Sequence, residues 1–153
     1  MQRGDSGVAT DKASAAKYRL AALVGLLRFH GVDTDEPEIR RRFGDAVDVP
    51  DMVRCAKEFG LWSRTNRWNW RRLSKVPLPC IALLRDGRCL FLVQTDNKAV
   101  VALNPTSSRT IRMSDAEFEK IWDRRLILMK QRASLDELAR RFGLGWLVAS
   151  IDK

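Results

Sequence analysis

The chain lacks any long hydrophobic run. Its longest apolar stretch, LAALVGLL at 20–27, falls far short of the roughly 20 residues that a membrane-spanning helix needs. The opening MQRGDSGVATDK has neither an apolar centre nor a small-residue cleavage site, so it does not read as a signal peptide, and residues 1–13 are expected to be flexible. Cysteine is scarce: Cys55, Cys80 and Cys89 make an odd number, sit inside apolar segments and lack the paired spacing of a zinc site, which predicts reduced core thiols and no metal. There is a single histidine, His30, at the end of a predicted helix, where it reads as a satisfied helix-end residue. No glycine-rich phosphate loop is present, and the acids are spread over helix ends and turns as solvated charges are.

What is present is a chain of 153 residues, about the size of one domain, with 45% hydrophobic residues. That content excludes the disordered class for most of its length. Basic residues outnumber acidic ones, 28 to 19, giving a formal charge of +9. Such a surface attracts nucleic acid, anionic lipid or an acidic polypeptide, and charge alone does not choose among them. Distribution narrows the field. LWSRTNRWNWRRLSK, Leu61 to Lys75, carries Arg64, Arg67, Arg71, Arg72 and Lys75 without an acid, interleaved with Trp62, Trp68 and Trp70. Trp62, beside a strand start, is expected to be buried; Trp68 and Trp70, flanking Asn69 in a polar stretch, are the better binding candidates.

Helices come first along the chain. Ser14 is a cap for helix one, whose stripe Leu20, Leu23, Val24 and Leu27 keeps helical spacing before Gly31 stops it. Asp35, Pro37 and Glu38 start a second helix ending at Phe43-Gly44, and Pro50 opens a third, with Met52, Val53, Ala56 and Phe59 inward, closed by Gly60. After Gly60, LPCIALL, RCLFLVQ, AVVALN, RTIRM and RLILM read as strands separated by Asp86-Gly87, Asp96-Asn97 and Asn104-Pro105. A capping box at Ser114 and Glu117 inserts one more helix, AEFEKIW. Helices followed by an antiparallel sheet make an α+β domain.

The tail from Ser134 to Lys153 has its own capping box, Ser134 and Glu137, and LARRFGL has the look of the first helix and turn of a helix-turn-helix, which with the basic charge gives a DNA-binding alternative. The following GWLVASIDK offers no base-reading Arg, Asn or Gln, so nucleic acid is not the expected partner.

The order YRLAALVGLLRFHG, EIRRRFG, MVRCAKEFGL, LSKVPLPCIALLRDGRCLFLVQ, VVALNP, FEKIWDRRLILM resembles the papain-like peptidase domain that cuts double-glycine leader peptides at the N-terminus of bacteriocin-exporting ABC transporters. The resemblance runs from about Ala15 to Met129, and RFGLGWL looks like the linker before a first transmembrane helix. It implies a papain-like fold, N-terminal helices followed by a twisted antiparallel sheet, over 14–131, with a helical linker over 132–153. Such a peptidase places a Cys on the first turn of helix one, where the helix dipole lowers its pKa, followed by a Gly. Those positions are Tyr18 and Arg19. The His that deprotonates the thiol matches Cys89, and the Asp before Pro that orients it matches Asn104. The oxyanion glutamine, about six residues before the nucleophile, is also absent, for no Gln lies between Ala9 and Tyr18.

A phenol with a pKa near 10 and no base in reach does not replace a thiolate at neutral pH. The resemblance is therefore to the inactive branch, the peptidase-like domains of haemolysin-type (RTX toxin) type I secretion transporters, which also carry Tyr at the nucleophile position. It implies no enzymatic activity, no cofactor in this domain with ATP bound elsewhere in the transporter, and a place on the cytoplasmic side of the bacterial inner membrane. The implied partners are an unfolded secreted polypeptide and the transmembrane and nucleotide-binding domains. That branch keeps the histidine that is Cys89 here, with an aromatic near it where this chain has Leu83 and Leu84, so its substrate contacts do not transfer. The candidate binding residues are instead Arg67, Trp68, Trp70 and Arg71, with Phe29. A second alternative, a leader peptidase using Cys89 as nucleophile, remains alongside DNA binding.

Overall fold

The computed structural model describes residues 3–44, 47–131 and 143, with side chains from residue 14 onward. Helix α1 runs Arg3–Phe29, so Ser14 lies inside the helix and is not the cap its position suggested. Ala9, Lys12, Ala13, Ala15 and Ala16 are strong helix formers, and they extend the helix without needing an apolar stripe. The stripe itself behaves as its spacing predicts, with Leu20, Leu23, Val24 and Leu27 buried. Gly31, at a φ of 88° that a side chain would resist, turns the chain out of the helix. His30 differs in part from expectation: its Nε2 is buried without a hydrogen bond, and burial lowers the pKa of the ring against a contact with the Met129 backbone that raises it.

Helix α2, Glu36–Phe43, is capped by the Asp35 carboxylate, which accepts from the Glu38 amide, with Pro37 in the first turn. Helix α3, Val49–Glu58, begins with a reciprocal capping box between Asp48 and Asp51. The six strands are β1 Leu61–Arg67, β2 Cys80–Leu84, β3 Cys89–Thr95, β4 Ala99–Leu103, β5 Thr110–Ser114 and β6 Trp122–Gln131, with α4 Asp115–Ile121 between the last two. They form one antiparallel sheet in the order β1-β6-β2-β3-β4-β5. The last strand thus returns to the middle and separates β1 from β2.

Period-two alternation sorts the sheet into two cores. Ile81, Leu83, Cys89, Ile127 and Met129 face α1, α2 and α3. Ala82, Leu84, Leu90, Leu92, Leu126 and Leu128 face the opposite way, beneath a short 3-10 helix, Trp70–Lys75, and α4. Strand β2 is buried on both faces, which is why CIALL reads as an unbroken apolar run. In the second core Phe118 stacks on Trp122 at 4.9 Å, with Trp70 tilted against it at 6.4 Å.

Strand β1 is the element that the sequence pattern conceals. Leu61 is its one large buried side chain, and Ser63 uses its hydroxyl to donate to the Leu128 carbonyl. Trp62 is not buried as expected: it lies on the outer row of an edge strand, 36% exposed, with the Lys130 ammonium 5.1 Å from its ring. Among the described residues no helix is long and apolar enough to cross a membrane. The helix-turn-helix and linker readings of the tail fall outside the described residues.

Candidate functional site

Tyr18, Cys89 and Asn104 come from α1, β3 and the loop after β4, and they line one cavity of about 110 Å³. Leu84, Leu90, Ile111, Met113 and Ile121 supply its apolar wall, and Arg88 its cation. The three positions singled out by motif order are therefore neighbours in space.

Asn104 is committed to its own loop. Its side-chain oxygen accepts from the amides of Thr106, 2.9 Å, and Ser107, 3.3 Å, and from the Thr106 hydroxyl, closing an Asx turn around Pro105. That leaves its amide nitrogen, which donates to the Tyr18 oxygen at 3.4 Å. A donated bond favours the phenolate, so the Tyr18 pKa is lowered, chiefly by Asn104 and further by Thr106 and the Arg88 guanidinium, against an upward push from burial. Arg88 sits over the Tyr18 ring at 5.6 Å and is held by Asp86 across the hairpin turn, 2.7 Å.

Cys89 is wholly buried, and desolvation pushes its thiol up to about 12. A thiol raised that far stays protonated at neutral pH. The chain's single histidine, His30, follows the last residue of α1 and is not among the residues that line this cavity.

Arg19 fills the place beside Tyr18. Its Nε donates to the Val47 carbonyl at 2.7 Å and its Nη1 to the Gly87 carbonyl at 3.0 Å, tying the segment before α3 and the β2–β3 hairpin to α1. Gly87, at a φ of 91°, gives that hairpin the tight turn expected of Asp-Gly. The cation at Arg88 was not singled out from the sequence. Its only signal is its place after Asp86-Gly87, next to Cys89.

The binding candidates do not join this cavity. Arg67 and Arg71 are exposed around the 3-10 helix, while Trp68 and Trp70 are half-buried against the second core. Trp70 Nε1 donates to the Asn97 carbonyl at 3.2 Å, and Arg72 lies over the Trp68 ring at 5.2 Å. Their apolar faces are largely spent on the fold. Phe29 is 64% exposed at the end of α1, edge-on to His30 at 5.2 Å. A larger open groove near α2, lined by Arg28, Asp33, Thr34, Asp35, Glu38 and Arg41, is of mixed charge, and Asp35 and Glu38 are engaged within it by the α2 cap and by Thr34.

Comparison with known proteins follows the same lines. A model of the peptidase C39 family matches residues 9–134. The chain belongs to this family. The C39 domain is 31% identical over 145 residues to the cyclolysin secretion/processing ATP-binding protein CyaB of Bordetella pertussis, covering 92% of this chain and 20% of that protein. It is 25% identical over 139 residues to the alpha-hemolysin translocation ATP-binding protein HlyB of Escherichia coli O157:H7, covering 88% and 20%. The chain thus spans about a fifth of the length of these curated relatives, which are toxin secretion proteins.

Among solved structures, the peptidase C39-like domain of a toxin secretion ATP-binding protein from Vibrio parahaemolyticus superposes with a TM-score of 0.64 at 19% identity, over 75% of this chain and 97% of that one. The double-glycine-motif protease of an AMS/PCAT transporter, solved with a leader peptide, gives 0.67 at 18% identity, over 75% and 84%. The likeness to both is one of fold, and it makes the α+β architecture of the C39 domain that of a papain-like peptidase.

Proposed function

We propose that this C39 domain is a catalytically inactive accessory domain of a type I secretion ABC exporter, which binds the unfolded polypeptide to be exported. The observation that carries the reading is the cavity where Tyr18, Cys89 and Asn104 meet. A phenol held by a donated bond, a buried thiol near pKa 12 and an amide whose acceptor is used by its own turn supply no nucleophile, no base and no orienting carboxylate. Arg19 further supports it, since its two tethers occupy the space beside the nucleophile position.

Binding is supported by charge. RTX-type substrates, rich in Asp and Gly, are acidic when unfolded, and a domain with a formal charge of +9 attracts them. The relatives' printed roles in toxin secretion support a place on the cytoplasmic side of the inner membrane, joined to transmembrane and nucleotide-binding domains. Titration of isotope-labelled domain with calcium-free, unfolded RTX polypeptide tests the reading. Concentration-dependent amide shift changes are expected, and an unchanged spectrum at saturating polypeptide would overturn it. A cysteine peptidase built on Cys89 is not favoured by any feature of the site, because the thiol is both buried and protonated.

A further inference from the structure

The sheet has a long free edge. Strand β1 pairs with β6 through its whole length, Leu61 opposite Gln131 to Arg67 opposite Arg125, and ends the strand order. Among the described residues nothing hydrogen-bonds to its outer side. Native sheets protect such edges, because unpaired amides and carbonyls recruit another strand. Here the protection is selective.

Every charge on this edge is positive. From Leu61 to Arg85 the sequence has no Asp or Glu, and the one acid of β6, Asp123, is paired with Arg125 at 2.8 Å. Arg64 and Arg67 are exposed and have no ion-pair partner among the described residues. Two arginines, one on each face of the edge strand, repel a second copy of the same strand and any basic chain, yet attract an acidic one. Beside Arg64 on the same row stands Trp62, with Lys130 across from it, an apolar surface ringed by cations. The Gln131 amide, opposite Leu61, donates to the His30 carbonyl at 2.7 Å, which ties the residue after α1 to the start of this strand pair.

We infer that an extended acidic polypeptide segment docks on β1 as a seventh strand, its backbone on the free edge and its carboxylates on Arg64 and Arg67. This rests on the reading that the domain binds an unfolded chain. Arg64 and Arg67 are three residues apart and so point to opposite faces of the sheet. The docked segment therefore carries its acids at i and i+3, one on each face, with a residue two places from the first lying over Trp62. A single-stranded nucleic acid would use the arginines and the tryptophan but leave the backbone edge unpaired, whereas a polypeptide satisfies both.

The test uses the full 153-residue chain, isotope-labelled, with two probes: a synthetic calcium-free peptide rich in Asp and Gly, with acids at i and i+3, and oligothymidylate. With the peptide, alternate amides of Leu61–Arg67 are expected to become slow to exchange. The Arg64→Glu/Arg67→Glu double variant should bind about tenfold more weakly, while Arg112→Glu on the opposite edge strand leaves affinity within about twofold. Peptide binding with protection on β5 or at the Tyr18 cavity instead would overturn the edge assignment and leave the accessory-domain reading standing. No binding of the peptide, with binding of a longer RTX polypeptide, would likewise remove this inference alone; binding of neither would remove both. Tighter binding of oligothymidylate than of the peptide at equal salt would also overturn it.

Discussion

Replacing Arg19 by Ala removes two hydrogen bonds that span three separate parts of the chain, to Val47 before α3 and to Gly87 in the β2–β3 hairpin. Each is charge-assisted, and bonds of that kind contribute roughly 1.5–3 kcal/mol when well shielded. The guanidinium is half-buried, and the Gly87 carbonyl sits in a surface turn that water reaches once the side chain is gone. The two together should therefore contribute about 1.5–3 kcal/mol rather than twice that. For a domain of this size, such a loss lowers the melting temperature by about 3–12 °C. Circular dichroism melts and urea midpoints at equal slope measure it. Arg19→Lys should recover no more than part of the loss, since one ammonium cannot serve both carbonyls in the fork geometry of Arg. A loss below about 0.5 kcal/mol, the range of ordinary surface substitutions, would refute the claim that Arg19 braces the site.

The single tyrosine makes the cavity spectroscopically readable, because phenolate absorbance reports Tyr18 alone. Its midpoint should lie below 10 and move up in Asn104→Ala; a midpoint at or above 10 in the parent would contradict the donated bond. The depressed value also sets a sign: the folded state releases this proton first, so Tyr18 adds stability above pH 10, and the gain is lost as pH falls through the folded value. The cysteines run the other way. Burial pushes Cys55, Cys80 and Cys89 each up to about 12, so their contribution is complete below pH 9 and is lost as pH rises. In the native domain at pH 8 a thiol reagent should label none of them on the timescale on which it labels the unfolded chain, and rapid native labelling of Cys89 would contradict its burial. Phe118→Ala, which empties the space between Trp122 and Trp70, should cost about 3–5 kcal/mol by urea unfolding; a cost under about 1 kcal/mol would show the second core to be loosely packed.

Much of this fold is legible because local chemistry and tertiary packing agree. Asp35 with Pro37, and Ser114 with Glu117, mark helix starts through bonds made within one turn. Among the apolar strands, β2 and the centre of β6 are buried on both faces and most of β4 alternates, whereas β5 buries Met113 alone. Strand β1 escapes because Leu61 is its one large buried side chain, and its pairing is set by β6, more than sixty residues later. Trp62 then follows the strand's outer row into solvent, while Trp68 and Trp70 are drawn onto the second core. The early start of α1 rests on helix propensity rather than on periodicity. At the site, motif order brought Tyr18, Cys89 and Asn104 together correctly. The bracing by Arg19 and the cation of Arg88 depend on contacts between distant segments, which spacing along the chain does not encode.

Under the proposed function, a peptidase fold persists here without peptidase chemistry. Mass spectrometry of a double-glycine leader peptide tests it most directly, after incubation with the native chain and with Tyr18→Cys, alongside an active C39 peptidase domain that cuts the same peptide. An intact peptide is expected with both, because a restored thiol still faces Cys89 and Asn104 in place of a base and its orienting carboxylate. Cleavage after the double glycine by either protein would contradict it.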